Sequence, residues 1–179
     1  MIITKRLVLR PLLSGDAAWI TAGVSLPEVH RWLTSVPHPY ALKDADAFVE
    51  RIARLDGYRV IDVNGIGRGV VSVVELIQDK VPSFSLGYWL HPDAWGQGIM
   101  TEAAAAMVGW HFARTDADLG SGWIVGNDAS RNVLSKLGFE PTGVVRNDYA
   151  HFHGREMPVE KVRLTIAHWA TVDRAHNQA

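Results

Sequence analysis

Hydrophobic and polar positions alternate with two different periods along this chain, and the change of period separates predicted strands from predicted helices. Apolar and β-branched runs predict strands at residues 3–10, 58–63, 70–77, 84–90, 121–125, 144–150 and 159–165. Capping residues and apolar positions spaced by three or four predict helices at residues 14–24, 43–55, 98–114 and 127–138. Seven strands and four helices in this order predict a layered α/β fold.

A glycine-bearing turn at residues 95–101 separates a predicted strand from an alanine-rich helix. Gly96 and Gly98 flank Gln97, and glycine allows the backbone to come close to a ligand. The unpaired amides at the start of the next helix carry the positive end of its dipole, which binds phosphate groups. The turn therefore predicts a phosphate or pyrophosphate site, with an ordinary tight turn as the alternative. The glycine run at residues 65–69 lies between two strands with no helix behind it, and it predicts a hairpin loop.

A second motif, Asn-Asp-Ala-Ser-Arg-Asn-Val-Leu-Ser-Lys-Leu-Gly-Phe at residues 127–139, is typical of a capped helix that ends at a glycine. With Leu-Gly-Tyr-Trp-Leu at residues 86–90, the glycine turn, and Thr-Lys-Arg-Leu-Val-Leu-Arg-Pro at residues 4–11, the chain resembles the GNAT acetyltransferases. The resemblance covers residues 4–165 and is greatest to the branch of ribosomal-protein N-terminal acetyltransferases (RimJ/RimL-like). It implies a mixed, mostly antiparallel sheet of seven strands flanked by about four helices, splayed near residues 86–91 and 121–125.

The resemblance also implies that acetyl-CoA is the co-substrate and that main-chain groups hold most of it. The pantetheine arm would pair with the backbone near Trp89 and Leu90, like an added strand. The pyrophosphate would lie on the turn formed by Trp95, Gly96, Gln97, Gly98, Ile99, Met100 and Thr101. Trp95 and Met100 depart from the general family pattern of Gln or Arg and of Gly or Ala, which leaves acetyl against longer acyl donors open.

Asn127 and Ser130 correspond to family positions that contact the cofactor arm or the thiol. Helix capping is the alternative role of Asn127. Many relatives place a tyrosine where this chain has Leu134, and that tyrosine protonates the leaving thiolate. We predict that Ser130 replaces it, because a hydroxyl can donate a hydrogen bond to sulfur.

The acceptor amine must lose a proton before it attacks, and the cost depends on its pKa. An N-terminal amine, with a pKa of about 7.7 to 8.0, costs roughly 1 kcal/mol to deprotonate at pH 7, whereas a lysine costs roughly 4.6 kcal/mol. Glu75, on the strand before the cofactor strand, is the candidate base, and a solvent-facing strand residue is its alternative role. The scarcity of acids nearby favours an amine that needs little help.

The predicted function is transfer of acetyl from acetyl-CoA to a primary amine, with a protein or peptide N-terminal α-amine as the preferred acceptor. A small-molecule amine, such as an amino acid or a polyamine, and a non-catalytic acyl-CoA sensor are the alternatives. Trp32 and Tyr149 lie in segments that would frame the acceptor. His151 and His153 share a strand face, but no third ligand is evident, so no metal is predicted.

Composition limits the remaining choices. The 179 residues, 47% hydrophobic, predict a single acetyltransferase domain over residues 1–179, with residues 171–179 as a frayed tail. A net charge of −1 without a basic cluster predicts no nucleic-acid partner. The chain has no cysteine, no signal peptide and no long apolar run, which predicts a cytoplasmic location and no membrane partner. A homodimer stays open.

Overall fold

The computed structural model of the protein describes residues 1–78 and 81–177. Within them, one sheet contains the strands β1 (Ile2–Ile3), β2 (Val8–Arg10), β3 (Tyr58–Val63), β4 (Ile66–Gln78), β5 (Val81–Leu90), β6 (Leu119–Ile124), β7 (Glu140–Ala150) and β8 (Arg155–Leu164). The α-helices are α1 (Ala17–Val24), α2 (Pro27–His30), α3 (Leu42–Ile52), α4 (Ile99–Phe112), α5 (Asp128–Lys136) and α6 (Ile166–Asn177). None of the helices in this part of the chain has the length and apolar character needed to cross a membrane.

The sheet is mixed and mostly antiparallel, as predicted, with the strand order β1-β2-β3-β4-β5-β6-β8-β7. Its parallel pair is β5 with β6, which are paired at Phe84 with Leu119 and at Ser85 with Gly120. Beyond these pairs the strands separate, although the Ser121 hydroxyl still donates to the Leu86 carbonyl at 2.9 Å. The second half of β5 therefore presents an open backbone edge, at the splay that the sequence predicts.

The structure has one more strand and two more helices than the sequence predicts. The single strand expected at residues 3–10 is divided into β1 and β2, because the Thr4 amide donates to the Leu7 carbonyl at 3.0 Å and reverses the chain. Helix α2 begins at Pro27, whose fixed φ suits the first position of a helix. Helix α6 occupies most of the segment expected to be a frayed tail, so that expectation was wrong up to residue 177; residues 178–179 lie outside the described residues.

Helices cover both faces of the sheet, and successive residues of β4 point alternately into the cores on the two faces. Val71 and Val73 pack in a core under α4, whereas Val70 packs in a second core with Ile20 of α1 and Ile52 of α3. The loop between β3 and β4 is the predicted hairpin, with left-handed φ angles of 53° at Asn64 and 83° at Gly65. The glycine run at residues 65–69 is thus accounted for by strand geometry.

Candidate active site

The glycine turn between β5 and α4 forms a concave backbone surface at the start of α4. Gly96 and Gly98 both adopt a left-handed φ of 72°, which favours glycine. A Cβ added to Gly96 would meet nothing within 4 Å, and one added to Gly98 would meet the Arg6 guanidinium at 3.6 Å. The surface that these two glycines leave open lies beside the N-terminal amides of α4. This arrangement fits an anionic phosphate group.

A network of hydrogen bonds and an ion pair connects the glycine turn and α4 to Thr4 and Arg6, which lie in the turn between β1 and β2. Arg6 donates through its side chain to Glu102 at 2.6 Å and to the Gln97 carbonyl at 2.9 Å, and Thr4 donates its hydroxyl to Glu102 at 2.6 Å. Burial alone would raise the pKa of Glu102, but the hydrogen bonds from Thr4 and Arg6 lower it below its usual value. Glu102 also lies in the first turn of α4, where a negative charge is favourable.

The two departures from the family pattern have distinct positions in the turn. The Trp95 indole donates to the Leu90 carbonyl at 2.8 Å and ties the turn to the end of β5. Met100 is only 7% exposed and belongs to the core under α4. Gln97 faces outward and donates to the Asp93 carbonyl at 2.8 Å.

A cavity of about 970 Å³ extends from the glycine turn along the splay between β5 and β6. It brings together most of the residues predicted to bind the cofactor or the acceptor. These are Trp32, Trp89, Leu90, Trp95, Gly96, Gly98, Ile99, Met100, Thr101, Asn127 and Ser130. Gln97, Glu75 and Tyr149 are not among the lining residues.

Ser130 is held from two sides within this cavity. The Asn127 side chain accepts from the Ser130 amide at 3.1 Å, so Asn127 is the N-cap of α5 and also lines the cavity. The Tyr88 hydroxyl, reaching across from β5, lies 2.9 Å from the Ser130 Oγ. Burial raises the pKa of Tyr88 to about 12, against the opposing effect of its hydrogen bond with Ser130. Leu134 is fully buried in the core.

Glu75 and Tyr149 lie outside the cavity. Glu75 is exposed on β4 opposite Phe84, on the same strand face as Val71 and Val73. Tyr149 is 53% exposed on the edge strand β7, with its ring 5.2 Å from that of His151. Neither side chain lines the cavity, and their catalytic and acceptor-binding roles stay predictions.

The part of the cavity away from the glycine turn has a floor of small residues. Ser85 and Gly87 of β5 and Gly120 and Gly122 of β6 line it. A Cβ on Gly122 would meet the Lys161 side chain at 3.3 Å, which shows that both residues lie on one sheet face. An extended chain can therefore approach the backbone of both strands closely.

Charged side chains from β7 and β8 form one wall of this region, and the sequence patterns did not indicate them. Lys161 donates to Asp148 at 2.8 Å, and Arg146 lies 3.8 Å from the same carboxylate. At the far end Arg163 lies 3.3 Å from Asp118. The only available signal was their alternation on a predicted hairpin, which cannot show that the face is a cavity wall.

The opposite wall is formed by the segment after α2. Trp32 packs against Ile124 and Val159, beneath the turn between β7 and β8. The His153 ring lies 2.9 Å from the Arg31 carbonyl and joins that turn to the same segment.

A histidine pair lies close to this junction. The His30 and His38 Nδ1 atoms are 3.3 Å apart. His30 is buried, which lowers its pKa, and the nearby charges of His38 and His151 lower it further. Among the described residues no three His, Cys, Asp or Glu side chains group to hold a metal ion, and the absence of a metal stays a prediction.

Comparison with known proteins identifies the fold and the motifs. A family model described as an acetyltransferase (GNAT) domain matches residues 6–140. An uncharacterized N-acetyltransferase of Bacillus subtilis, YoaA, is 27% identical over 156 residues, which cover 80% of this chain and 84% of that protein. RimJ of Mycobacterium smegmatis, in complex with CoA-disulfide, superposes with a TM-score of 0.76 at 21% identity and covers 96% of this chain and 89% of its own. Spermidine N-acetyltransferase of Vibrio cholerae, in complex with CoA and spermine, has a TM-score of 0.76 at 16% identity over 93% and 99% of the two chains.

Proposed function

The chain belongs to the GNAT acetyltransferase family, and we propose that this member acetylates the N-terminal α-amine of a protein or peptide. It is an acetyl-CoA-dependent N-acyltransferase, a conclusion that its family and relatives support and that sets aside the acyl-CoA sensor. The acceptor is the part that we infer. The single observation that carries this inference is the balance of charges around the cavity.

The donor half of the site fits acetyl-CoA through main-chain groups. The open surface at Gly96 and Gly98 and the amides that begin α4 would hold the pyrophosphate. The open edge of β5 beyond Ser85 would pair with the amides of the pantetheine arm. When bound, acetyl-CoA supplies the activated acetyl thioester, and its thiol end would lie near Ser130 by analogy with the family.

The lining of the cavity carries more positive than negative charge. The lining contains the cations Lys136, Arg146, Lys161 and Arg163, whereas its carboxylates, among the described residues, are Asp118 and Asp148. Both carboxylates already contact a cation. A polyamine, which carries several positive charges, would meet this wall unfavourably, whereas a peptide brings one ammonium group and neutral or acidic groups beyond it.

The free energy needed to deprotonate the acceptor amine also favours a peptide N-terminus over a polyamine. Since Glu75 lies outside the cavity and Asp148 is paired with Lys161, no free carboxylate is placed to take a proton, as far as the described residues show. An N-terminal amine costs only about 1 kcal/mol to deprotonate at pH 7, so solvent can accept its proton, whereas a lysine or polyamine amine costs about 4 to 5 kcal/mol.

The fold alone does not distinguish the acceptors, because structural neighbours with TM-scores of 0.77 and 0.76 include a ribosomal-protein-S5-alanine acetyltransferase and a spermidine acetyltransferase. A small-molecule amine is therefore the second candidate. An uncharged or acidic small amine, such as an amino acid, fits the same charge balance as a peptide, and it differs in that it fills less of the cavity beside acetyl-CoA.

A panel of amines with a charge variant tests this proposal. Wild type should have a higher kcat/KM for a short peptide with a free N-terminus than for two other amines. These are spermidine and a version of the peptide whose N-terminus is blocked and which contains one lysine. Lys161→Gln should lower this preference for the peptide over spermidine by about ten-fold, because it removes one like charge from the cavity wall. Lys43→Gln is the matched control, because Lys43 is an exposed residue of α3 away from the cavity, and it should leave the preference unchanged. Spermidine as the best substrate of wild type would overturn the proposal.

A further inference from the structure

A hydrogen bond between two hydroxyl groups connects the two sides of the splay. Tyr88 stands on β5, and its phenol crosses to the first turn of α5, where its oxygen lies 2.9 Å from the Ser130 Oγ and 3.3 Å from the Ser130 carbonyl oxygen. Both residues line the cavity. Because Asn127 fixes the Ser130 amide at 3.1 Å, the backbone and the side chain of Ser130 are each held by a partner.

Each of the two hydroxyl groups has only one proton, which allows two arrangements. In the first, Tyr88 donates to the Ser130 Oγ, and the Ser130 proton is free to point into the cavity. In the second, Tyr88 donates to the Ser130 carbonyl, and Ser130 donates to the Tyr88 oxygen. The 2.9 Å contact is a hydrogen bond in both arrangements, and only the first leaves the Ser130 proton free for a partner in the cavity.

We propose that Tyr88 is a positioning residue, whose hydroxyl donates to the Ser130 Oγ so that the Ser130 hydroxyl donates to the sulfur atom of the departing CoA. This inference rests on the proposed acetyl transfer and on the prediction that Ser130 assists the thiolate. When two hydroxyl groups form a chain that ends on a developing negative charge, the hydrogen bonds of the chain polarise and strengthen one another. The residue that occupies the family's tyrosine position, Leu134 of α5, is buried in the core, whereas the phenol of Tyr88 reaches Ser130 from strand β5.

Tyr88 is not the acid of the reaction. Its pKa is raised to about 12, above that of a thiol, so transfer of the phenol proton to a thiolate is unfavourable. As the new N–C bond forms and the C–S bond breaks, the electron pair passes to sulfur. The proton that the amine nitrogen releases to solvent balances the one that sulfur finally takes up. Tyr88 and Ser130 keep their protons throughout.

Titration of the CoA thiol on the protein tests the proposal without any turnover. The ultraviolet absorbance of the thiolate, followed against pH with saturating CoA, gives the pKa of the bound thiol. Tyr88→Phe and Ser130→Ala should each reduce the ionisation constant of this thiol by about ten-fold, because each removes a hydrogen bond that favours the charged sulfur. The double variant should show no further reduction, since the two hydroxyl groups act in one chain.

Rates supply the second measurement. Tyr88→Phe should lower kcat by about ten-fold and leave the KM for acetyl-CoA within about two-fold, because the contact strengthens only as sulfur gains charge. Tyr58→Phe removes a phenol hydroxyl from the second core, away from the cavity, and is the control for general effects on packing.

The outcomes separate this inference from the proposed function. An unchanged thiol pKa in Tyr88→Phe would overturn the role of Tyr88, and so would reductions that add in the double variant or a loss that falls on KM alone. Wild type that binds CoA and acetylates no amine would instead overturn the proposed function, and the thiol titration would still decide the role of Tyr88. Wild type that does not bind CoA would overturn both.

Discussion

Replacement of Gly98 by alanine tests whether the turn before α4 is the pyrophosphate site. Gly98 has a φ of 72°, and the nearest atom to an added Cβ is a terminal nitrogen of Arg6 at 3.6 Å, an ordinary contact. The variant therefore introduces no clash within the protein. It changes the backbone energy at this position and adds a methyl group to the surface on which a phosphate would lie.

The chain offers a matched control in Gly65, which has a φ of 83° and no atom within 4 Å of an added Cβ. Because the left-handed conformation costs a non-glycine residue about 1 to 2 kcal/mol, both alanine variants should lose about this much free energy of unfolding. Only Gly98→Ala should weaken CoA binding, by about 10- to 100-fold, since the methyl group holds a phosphate oxygen away from charge-assisted hydrogen bonds worth about 1.5 to 3 kcal/mol.

Chemical denaturation gives the stability of both variants, and isothermal titration calorimetry with CoA gives their affinities. The difference between the two glycines is informative because their stability losses match. Equal CoA affinity for Gly98→Ala, Gly65→Ala and wild type, with Gly98→Ala folded, would refute the assignment of the turn. A loss of affinity in both variants would show that affinity follows stability alone.

Three further predictions follow from the site. Arg6→Ala should weaken CoA binding by about ten-fold in calorimetry, because it releases the Gln97 carbonyl and Glu102; unchanged affinity would show that the network does not shape the turn. Glu75→Gln should lower kcat/KM for a peptide N-terminus by less than about three-fold, with a profile that levels near pH 8, whereas a collapse of the rate would make Glu75 the base. The lowered pKa of His30 means that the unfolded chain binds the proton more readily, so Tm should fall as the pH drops below the usual histidine value of about 6.5; in His30→Gln this slope should be weaker, and an equal slope would exclude His30.

The predicted elements that match the structure are those whose signals are local. The Asn64–Gly65 hairpin carries its own turn signal, the strand β5 an apolar run, and the helix α4 a glycine turn followed by an alanine-rich sequence, each within about ten residues. The division of residues 3–10 into two strands depends instead on a single turn bond at Thr4. Helix α6 has a weak apolar pattern, and its helical state depends on packing such as that of Trp169 on the core.

The same distinction applies to the site. The glycine turn was recognisable because the groups proposed to bind phosphate are main-chain amides, whose direction follows from φ angles that only glycine adopts easily. Arg6 and Tyr88 were not recognised, because their roles depend on distances across 91 and 42 residues of sequence separation. Such distances are set by the packing of the hairpin and of α5 against the sheet, which no local pattern shows.

The two proposed halves of the cavity therefore depend on different features of the chain, one on its backbone and the other on its side chains. The proposed donor half depends on backbone geometry, which tolerates changes of side chain and follows from the fold that neighbours with 16% and 21% identity share. In the proposed function the acceptor half depends on side chains of β7 and β8, where a single change of charge at a position such as Lys161 should alter which amine is favoured while the fold is retained. For this chain we infer the acceptor from the charges of Asp148, Lys161 and Arg163, because structural neighbours with TM-scores of 0.77 and 0.76 include both a ribosomal-protein acetyltransferase and a spermidine acetyltransferase.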